Sequence, residues 1–369
     1  MAEPSETDDP RASVALSVLD LAPVGRGSTP RQALARTVDL AREAEELGYR
    51  RYWVAEHHNM PGIASSSPPV LIAHVAAHTA TIRVGSGGVM LPNHTALVVA
   101  EQFGMLEALH PGRIDLGIGR APGTDPMTAR ALRRTVGPLT VDEFPEQLVE
   151  LIGFLTGAFP EGHPYRAITA VPGLGNCPSL WLLGSSDYSA QVAGALGWPF
   201  SFAHHFAAAN TLPAVRAYRD TFRPSAGSHI SGLPAGSDTF RPSAALAAPY
   251  VMLGVAVVVA ETDEKARWLA APSALAFLRL RSGRPGPYPS PEEAAEYQFT
   301  PTEREFVKSW TGSHVVGSPE TVRAGLAELV ARTGADELMV TTMTHGFEER
   351  LQSYRLLADA WELAPATTS

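Results

Sequence analysis

Two adjacent pairs of histidines carry the most obvious chemistry in this chain: His57-His58 in WVAEHH and His204-His205 in SFAHHF. An imidazole titrates near pH 6.5, so either pair could hold an acid or base for work at neutral pH. Neighbours on an extended chain point to opposite sides, and a helical zinc pair needs a spacing of four, so His57-His58 does not read as a metal site, while His204-His205 either line the same mouth or cap their strand. The chemical reading is one ring facing a pocket; the plain one is a pair of loop histidines satisfied by hydrogen bonds. Arg120 sits among glycines in DLGIGRAPG, where it could grip a phosphate with two parallel hydrogen bonds or form a surface ion pair. The spacing of Gly117, Gly119 and Gly123 is not G-x-G-x-x-G, and that fingerprint belongs after the first strand, so a dinucleotide site is excluded. Gly184-Ser185-Ser186 opens a helix through Asp187, Tyr188 and Ser189; hydroxyls, free N–H groups and a helix dipole make a phosphate seat, or simply an N-cap. Gly85, Gly87 and Gly88 lie inside an apolar run, where glycine admits a flat ligand or a bulge. Cys177, the sole cysteine, has no base beside it and reads as a small loop residue.

Eight short β-type runs must position these residues: 14–20, 51–56, 82–91, 114–118, 180–183, 199–203, 250–259 and 338–342. Most are followed by a stretch of helical period, such as 319–333, where Ser318 is the N-cap and Pro319 the first helical residue. Strand–helix alternation implies a parallel sheet with right-handed crossovers. Eight such units favour an α/β fold closed as a (β/α)8 barrel over an open doubly wound sheet. Barrel enzymes keep their sites at the strand C-termini. His57-His58, Gly87-Gly88, Arg120, Ser185–Ser189 and His204-His205 all fall there, at the ends of strands two to six in order.

The expected organisation is a polar tail over residues 1–13 and one barrel domain over 14–365. Three stretches break the repeat. Residues 156–179 and 282–301 are rich in Gly and Pro, and the latter follows strand seven, where a lid is expected. Residues 220–244 carry DTFRPSA twice, a tandem duplication whose surplus is expected to be a surface loop. A formal net charge of -9 without basic runs leaves no footprint for nucleic acid or an anionic membrane. The N-terminus has no apolar signal segment and no run reaches membrane-spanning length, so a cytoplasmic location is expected.

Four ordered segments, GYRRYWVAEHHNMPG, RVGSGGVMLPNH, LEALHPGRIDLGIGRAPG and WLLGSSDYSAQVAGALGWPF, make the chain resemble the luciferase-like monooxygenases over residues 16–363. The resemblance is to the actinobacterial branch found in natural-product pathways. It implies a (β/α)8 barrel binding FMN at the strand C-termini, with reduced FMN supplied by a separate flavin reductase. It further implies O2 and a small organic molecule as co-substrates, and a homodimer. His57 matches the family's catalytic histidine, with His58 beside it. Gly87-Gly88 match a non-proline cis peptide under the flavin ring, Arg120 the phosphate-binding arginine, and Ser185, Ser186, Tyr188 and Ser189 the phosphate turn. Gly119 stands where luciferase has a reactive cysteine and Ser185 where it has a glutamate, so light emission is not implied. Two other activities suit the same barrel: F420-dependent hydride transfer, against which a single arginine at the mouth argues, and a non-catalytic flavin-binding subunit.

Overall fold

The computed structural model describes residues 14–121, 124–133, 143–224 and 246–364. The tail at 1–13 and most of the duplicated stretch, 225–244, lie outside them. Nine strands form one sheet in the order β6-β5-β4-β3-β2-β1-β9-β7-β8, and β6 also pairs with β7. All of these pairings are parallel. The ring β1–β7 plus β9 therefore closes, a (β/α)8 barrel, with β8 appended outside it.

The barrel strands are β1 (Ala15–Asp20), β2 (Arg51–Val54), β3 (Arg83–Met90), β4 (Ile114–Gly119), β5 (Ser179–Gly184), β6 (Phe200–Phe202), β7 (Val251–Val259) and β9 (Glu337–Thr341). Each falls on one of the eight runs read from the sequence. Strand β8 (Val315–Gly317) was not expected. It is three residues long and pairs only with the end of β7, through Val257–Val259, so it leaves no alternation to read.

The helices are α1 (Pro30–Glu46), α2 (Pro68–Ala77), α3 (Ala96–Leu109), α4 (Pro126–Arg133), α5 (Phe144–Thr156), α6 (Asp187–Leu196), α7 (His204–Ala207), α8 (Thr211–Thr221), α9 (Asp263–Arg281), α10 (Pro291–Glu296), α11 (Pro301–Thr311), α12 (Pro319–Thr333) and α13 (Phe347–Trp361). Their starts follow local rules. Thr29 and Thr300 close capping boxes with Gln32 and Glu303, and Ser318 accepts from the Thr321 N–H to start α12. Helices α10 and α11 occupy and follow the 282–301 stretch, which the sequence suggested was irregular. Among the described residues no helix is long and apolar enough to cross a membrane.

Alternation along the strands separates an outer core from the barrel interior. Leu16, Val18, Tyr52, Val54, Leu338 and Val340 face the helices in the main hydrophobic cluster. Their alternate neighbours fill the interior in layers. The lowest layer is ionic. Arg51 bonds Asp115 Oδ2 at 2.8 Å and Glu337 Oε1 at 3.0 Å; Arg83 bonds Asp115 Oδ1 at 2.6 Å; Ser17 and Tyr250 donate to Glu337. Above it lie Leu19, Trp53, Trp181, Met252 and Met339, with the two indoles edge to face at 5.2 Å. Further along the same strands the inward residues become small: Ala55 after Trp53, Gly87 after Gly85, Gly254 and Ala256 after Met252. The barrel cannot be filled there, and a cavity opens at the strand C-termini.

Candidate active site

That cavity has a volume of about 810 Å³, and its lining is mostly apolar. His57 enters it from the segment after β2. The His57 backbone N–H donates to Ser65 O at 2.9 Å, which fixes the chain, while the ring atom Nδ1 is buried with no partner among the described residues. Burial pushes the ring down to about 4, against the pull of the neighbouring Glu56 carboxylate, so the ring is neutral near pH 7. His58 turns away from the cavity and its Nε2 lies 2.9 Å from Glu56 Oε1, as does Nε2 of His94. Glu56 is fully buried. Burial alone would raise its carboxyl, but the bonds from His94, His58 and the Met90 N–H outweigh it and hold the group below the usual range.

Gly87 and Gly88 line the cavity, and the peptide between them is cis. Gly85 does not line it. A Cβ on Gly85 would fall 2.5 Å from Asp115 O and 2.8 Å from Trp53 Nε1, so its smallness serves strand packing over the ionic layer.

Arg120, Ser185, Ser186 and Ser189 line the adjoining wall, where β4 and β5 end side by side. Tyr188 is not on the wall; its ring lies beneath the Arg120 guanidinium, 4.3 Å from centroid to Cζ. Arg120 has no carboxylate partner among the described residues. Ser186 is the N-cap of α6 in an extended conformation but makes no side-chain cap bond, so the first N–H groups of α6 stay available.

The second histidine pair divides in the same way. His205 lines the cavity with Nδ1 3.0 Å from Gly254 O, whereas His204 bonds Thr211 Oγ1 at 2.8 Å outside it. Cys177 lies off the cavity, and burial raises its thiol to about 12, which fits a packing residue.

The 282–301 stretch covers one side through Pro285, Gly286, Pro287 and Tyr288. It is fastened to the loop after β1: Tyr288 N–H donates to Val24 O at 2.8 Å and Arg26 N–H to Tyr288 O at 2.9 Å. Two further arginines, Arg279 and Arg281, reach the cavity from α9, so Arg120 is not the single arginine that the sequence suggested. Sequence reasoning also missed Phe277, Phe306, Trp310, His314 and Thr341, all on the lining. The His314 Nε2 and Thr341 Oγ1 atoms are buried without a partner among the described residues. Trp310 and His314 stand four apart in WTGSH, the one local signal that could have drawn attention to them.

The structure is thus a (β/α)8 barrel with an apolar cavity at its strand C-termini, where His57, Gly87-Gly88, Arg120, Ser185 and Ser186 are brought together. The chain belongs to the luciferase-like monooxygenase family, whose model matches residues 14–337. It is 46% identical over 356 residues to the uncharacterized protein YvbT of Bacillus subtilis (96% of this chain, 99% of that one). It is 43% identical over 350 residues to a luciferase-like monooxygenase of Escherichia coli K12 (95% and 98%). The solved structure of apo-MsnO8 superposes with a TM-score of 0.79 at 38% identity, covering 95% of this chain and 99% of that one. Two more distant structures share the fold. One is the oxygenating constituent of 3,6-diketocamphane monooxygenase from Pseudomonas putida in complex with FMN (TM-score 0.64, 19% identity, 96% and 99% covered). The other is an F420-dependent secondary alcohol dehydrogenase (TM-score 0.66, 14% identity, 95% and 99% covered).

Proposed function

We propose that this protein is a monooxygenase that uses reduced FMN, delivered by a separate flavin reductase, and O2 to oxygenate a small organic substrate. The observation that carries the reading is the pairing of an unpartnered His57 Nδ1 with the Arg120–Ser185–Ser186 wall in one apolar cavity. The donors suit a phosphate monoester: a guanidinium without a carboxylate, two hydroxyls and an uncapped helix start. The apolar remainder suits a flat ring system.

When bound, reduced FMN supplies the activation of O2 for transfer of one oxygen atom. The chain's own residues bind, orient and exclude water. Arg120 and the start of α6 would hold the phosphate, and Gly87-Gly88 would lie against the ring. His57, neutral and free at Nδ1, would accept and return a proton there, with the buried Glu56 charge nearby favouring the protonated ring. His58 and His94, held on Glu56, keep that carboxylate in place. A role in a natural-product pathway rests on the sequence resemblance alone. Homodimer formation would bury exposed apolar side chains such as Val70 of α2 and Val98, Met105 and Leu109 of α3.

F420 is the second reading, favoured by Arg279 and Arg281 on the rim, since a longer anionic tail needs more cations than one phosphate. Arg279 is already paired with Glu293 at 2.8 Å, which leaves less charge for such a tail. Anaerobic titration separates the two: reduced FMN should bind more tightly than oxidised FMN and than F420. Arg120→Ala should weaken FMN about ten- to a hundredfold, as loss of a charge-assisted contact does, and leave riboflavin unchanged. F420 binding in preference to FMN would replace the reading.

A further inference from the structure

The cavity has two unlike sides. The C-terminal ends of β2 to β5 and the residues after them supply His57, Gly87-Gly88 and the proposed phosphate seat. The opposite side is built by β7, α9, α11 and β8, and it is aromatic. Phe277 of α9 stacks on Phe306 of α11 (centroids 5.3 Å, planes 11°) and on Trp310 (4.3 Å, 22°). Trp310 meets His314 edge to face at 4.6 Å. All four rings line the cavity.

Two imidazoles give this side its polarity. His205 bonds the Gly254 carbonyl through Nδ1, and the His314 ring lies near the His205 backbone. His314 Nε2 is buried with no partner among the described residues. Burial pushes both rings down to about 4, so both are neutral near pH 7. A neutral imidazole carries one N–H and one bare nitrogen, so each ring can offer an acceptor to a bound molecule. Of the two arginines on this side, Arg279 is paired with Glu293, and Arg281 sits at the exposed rim.

We propose that this chamber is the substrate subsite of the monooxygenase proposed above, on which reading the inference rests. It selects an uncharged aromatic molecule bearing a hydrogen-bond donor, such as a phenol, with His314 Nε2 accepting that bond and Phe277 and Trp310 holding the ring. A buried acceptor left without a donor is costly, so a site of this kind rejects the analogue that lacks the donor. A carboxylate is rejected for the opposite reason, because its oxygens would face an imidazole lone pair.

The test uses the full chain and calorimetric titration with 2-naphthol, its methyl ether 2-methoxynaphthalene, and 2-naphthoate, with and without FMN. Wild type should bind 2-naphthol about tenfold more tightly than the ether, and 2-naphthoate least. His314→Phe keeps a ring against Trp310 and should bring 2-naphthol down to the affinity of the ether, with the ether and FMN unchanged. Equal wild-type affinity for naphthol and ether would overturn the proposal whatever the variant does, as would tighter binding of 2-naphthoate or no binding of any of the three. The flavin reading fails separately, through loss of FMN binding while the naphthol preference persists.

Discussion

The two ends of the barrel are built from the same strands and solve opposite problems. At the N-terminal end Ser17, Arg51, Asp115 and Glu337 bury charge and, with the half-buried Arg83, satisfy it internally, Trp53 Nε1 also donating to Asp115 at 2.9 Å. At the C-terminal end the interior residues are small, and three polar side-chain atoms of residues that line the cavity are buried without partners among the described residues: His57 Nδ1, His314 Nε2 and Thr341 Oγ1. Buried polar atoms are ordinarily hydrogen-bonded, so an unmatched set around a cavity marks where a bound molecule completes the structure. One end holds the barrel's geometry; the other keeps its hydrogen-bonding capacity in reserve.

The sharpest way to break this contrast is at the ionic end. Arg51→Met removes a cation from two buried carboxylates, and breaking such a network costs roughly 3–5 kcal/mol. Urea denaturation should show a loss of that size. A loss below about 1 kcal/mol would mean that the layer is solvated and the two ends are not so different.

His57→Ala is the matching change at the open end. The side chain makes no hydrogen bond that the fold depends on, so stability should move by less than about 1 kcal/mol. Turnover should fall roughly a hundred- to ten-thousandfold, the range for loss of a general acid–base group. Unchanged turnover would remove His57 from the chemistry.

Acid should distinguish the ends more gently. His57, His205 and His314 are held near 4, below the ordinary 6.5 of the unfolded chain. Between those values the unfolded state holds more protons, so their contribution is complete above pH 6.5 and is lost as pH falls toward 4. Each contributes at most about 1.4 kcal/mol per pH unit to that slope. His314→Phe should flatten the slope measured between pH 6.5 and 4. An unchanged slope would show that burial of this ring does not govern the response.

Much of the framework was legible because it is local. Strand–helix alternation, the Ser318 cap and the glycines of β3 and β4 are set by neighbours within a few residues. The adjacency of Arg120 and Ser185-Ser186 was legible for a related reason: they end consecutive strands, which lie side by side in a right-handed parallel barrel. The aromatic side of the cavity was not. Phe277 and Trp310 stand on helices after β7, and His314 precedes a strand of three residues with no periodic signature.

His204-His205 open the short helix α7; for His57-His58, sequence determined that one ring would face away from the other, because side chains alternate along an extended chain. It did not determine which. That was decided by the register of β2 and β6 in the closed ring. It turns His57 and His205 inward to neutral, buried positions and leaves His58 on Glu56 and His204 on Thr211. The cavity itself is likewise a tertiary fact. Ala55, Gly87, Gly254 and Ala256 are unremarkable singly, and they make a hollow only because closure brings β2, β3 and β7 around one axis.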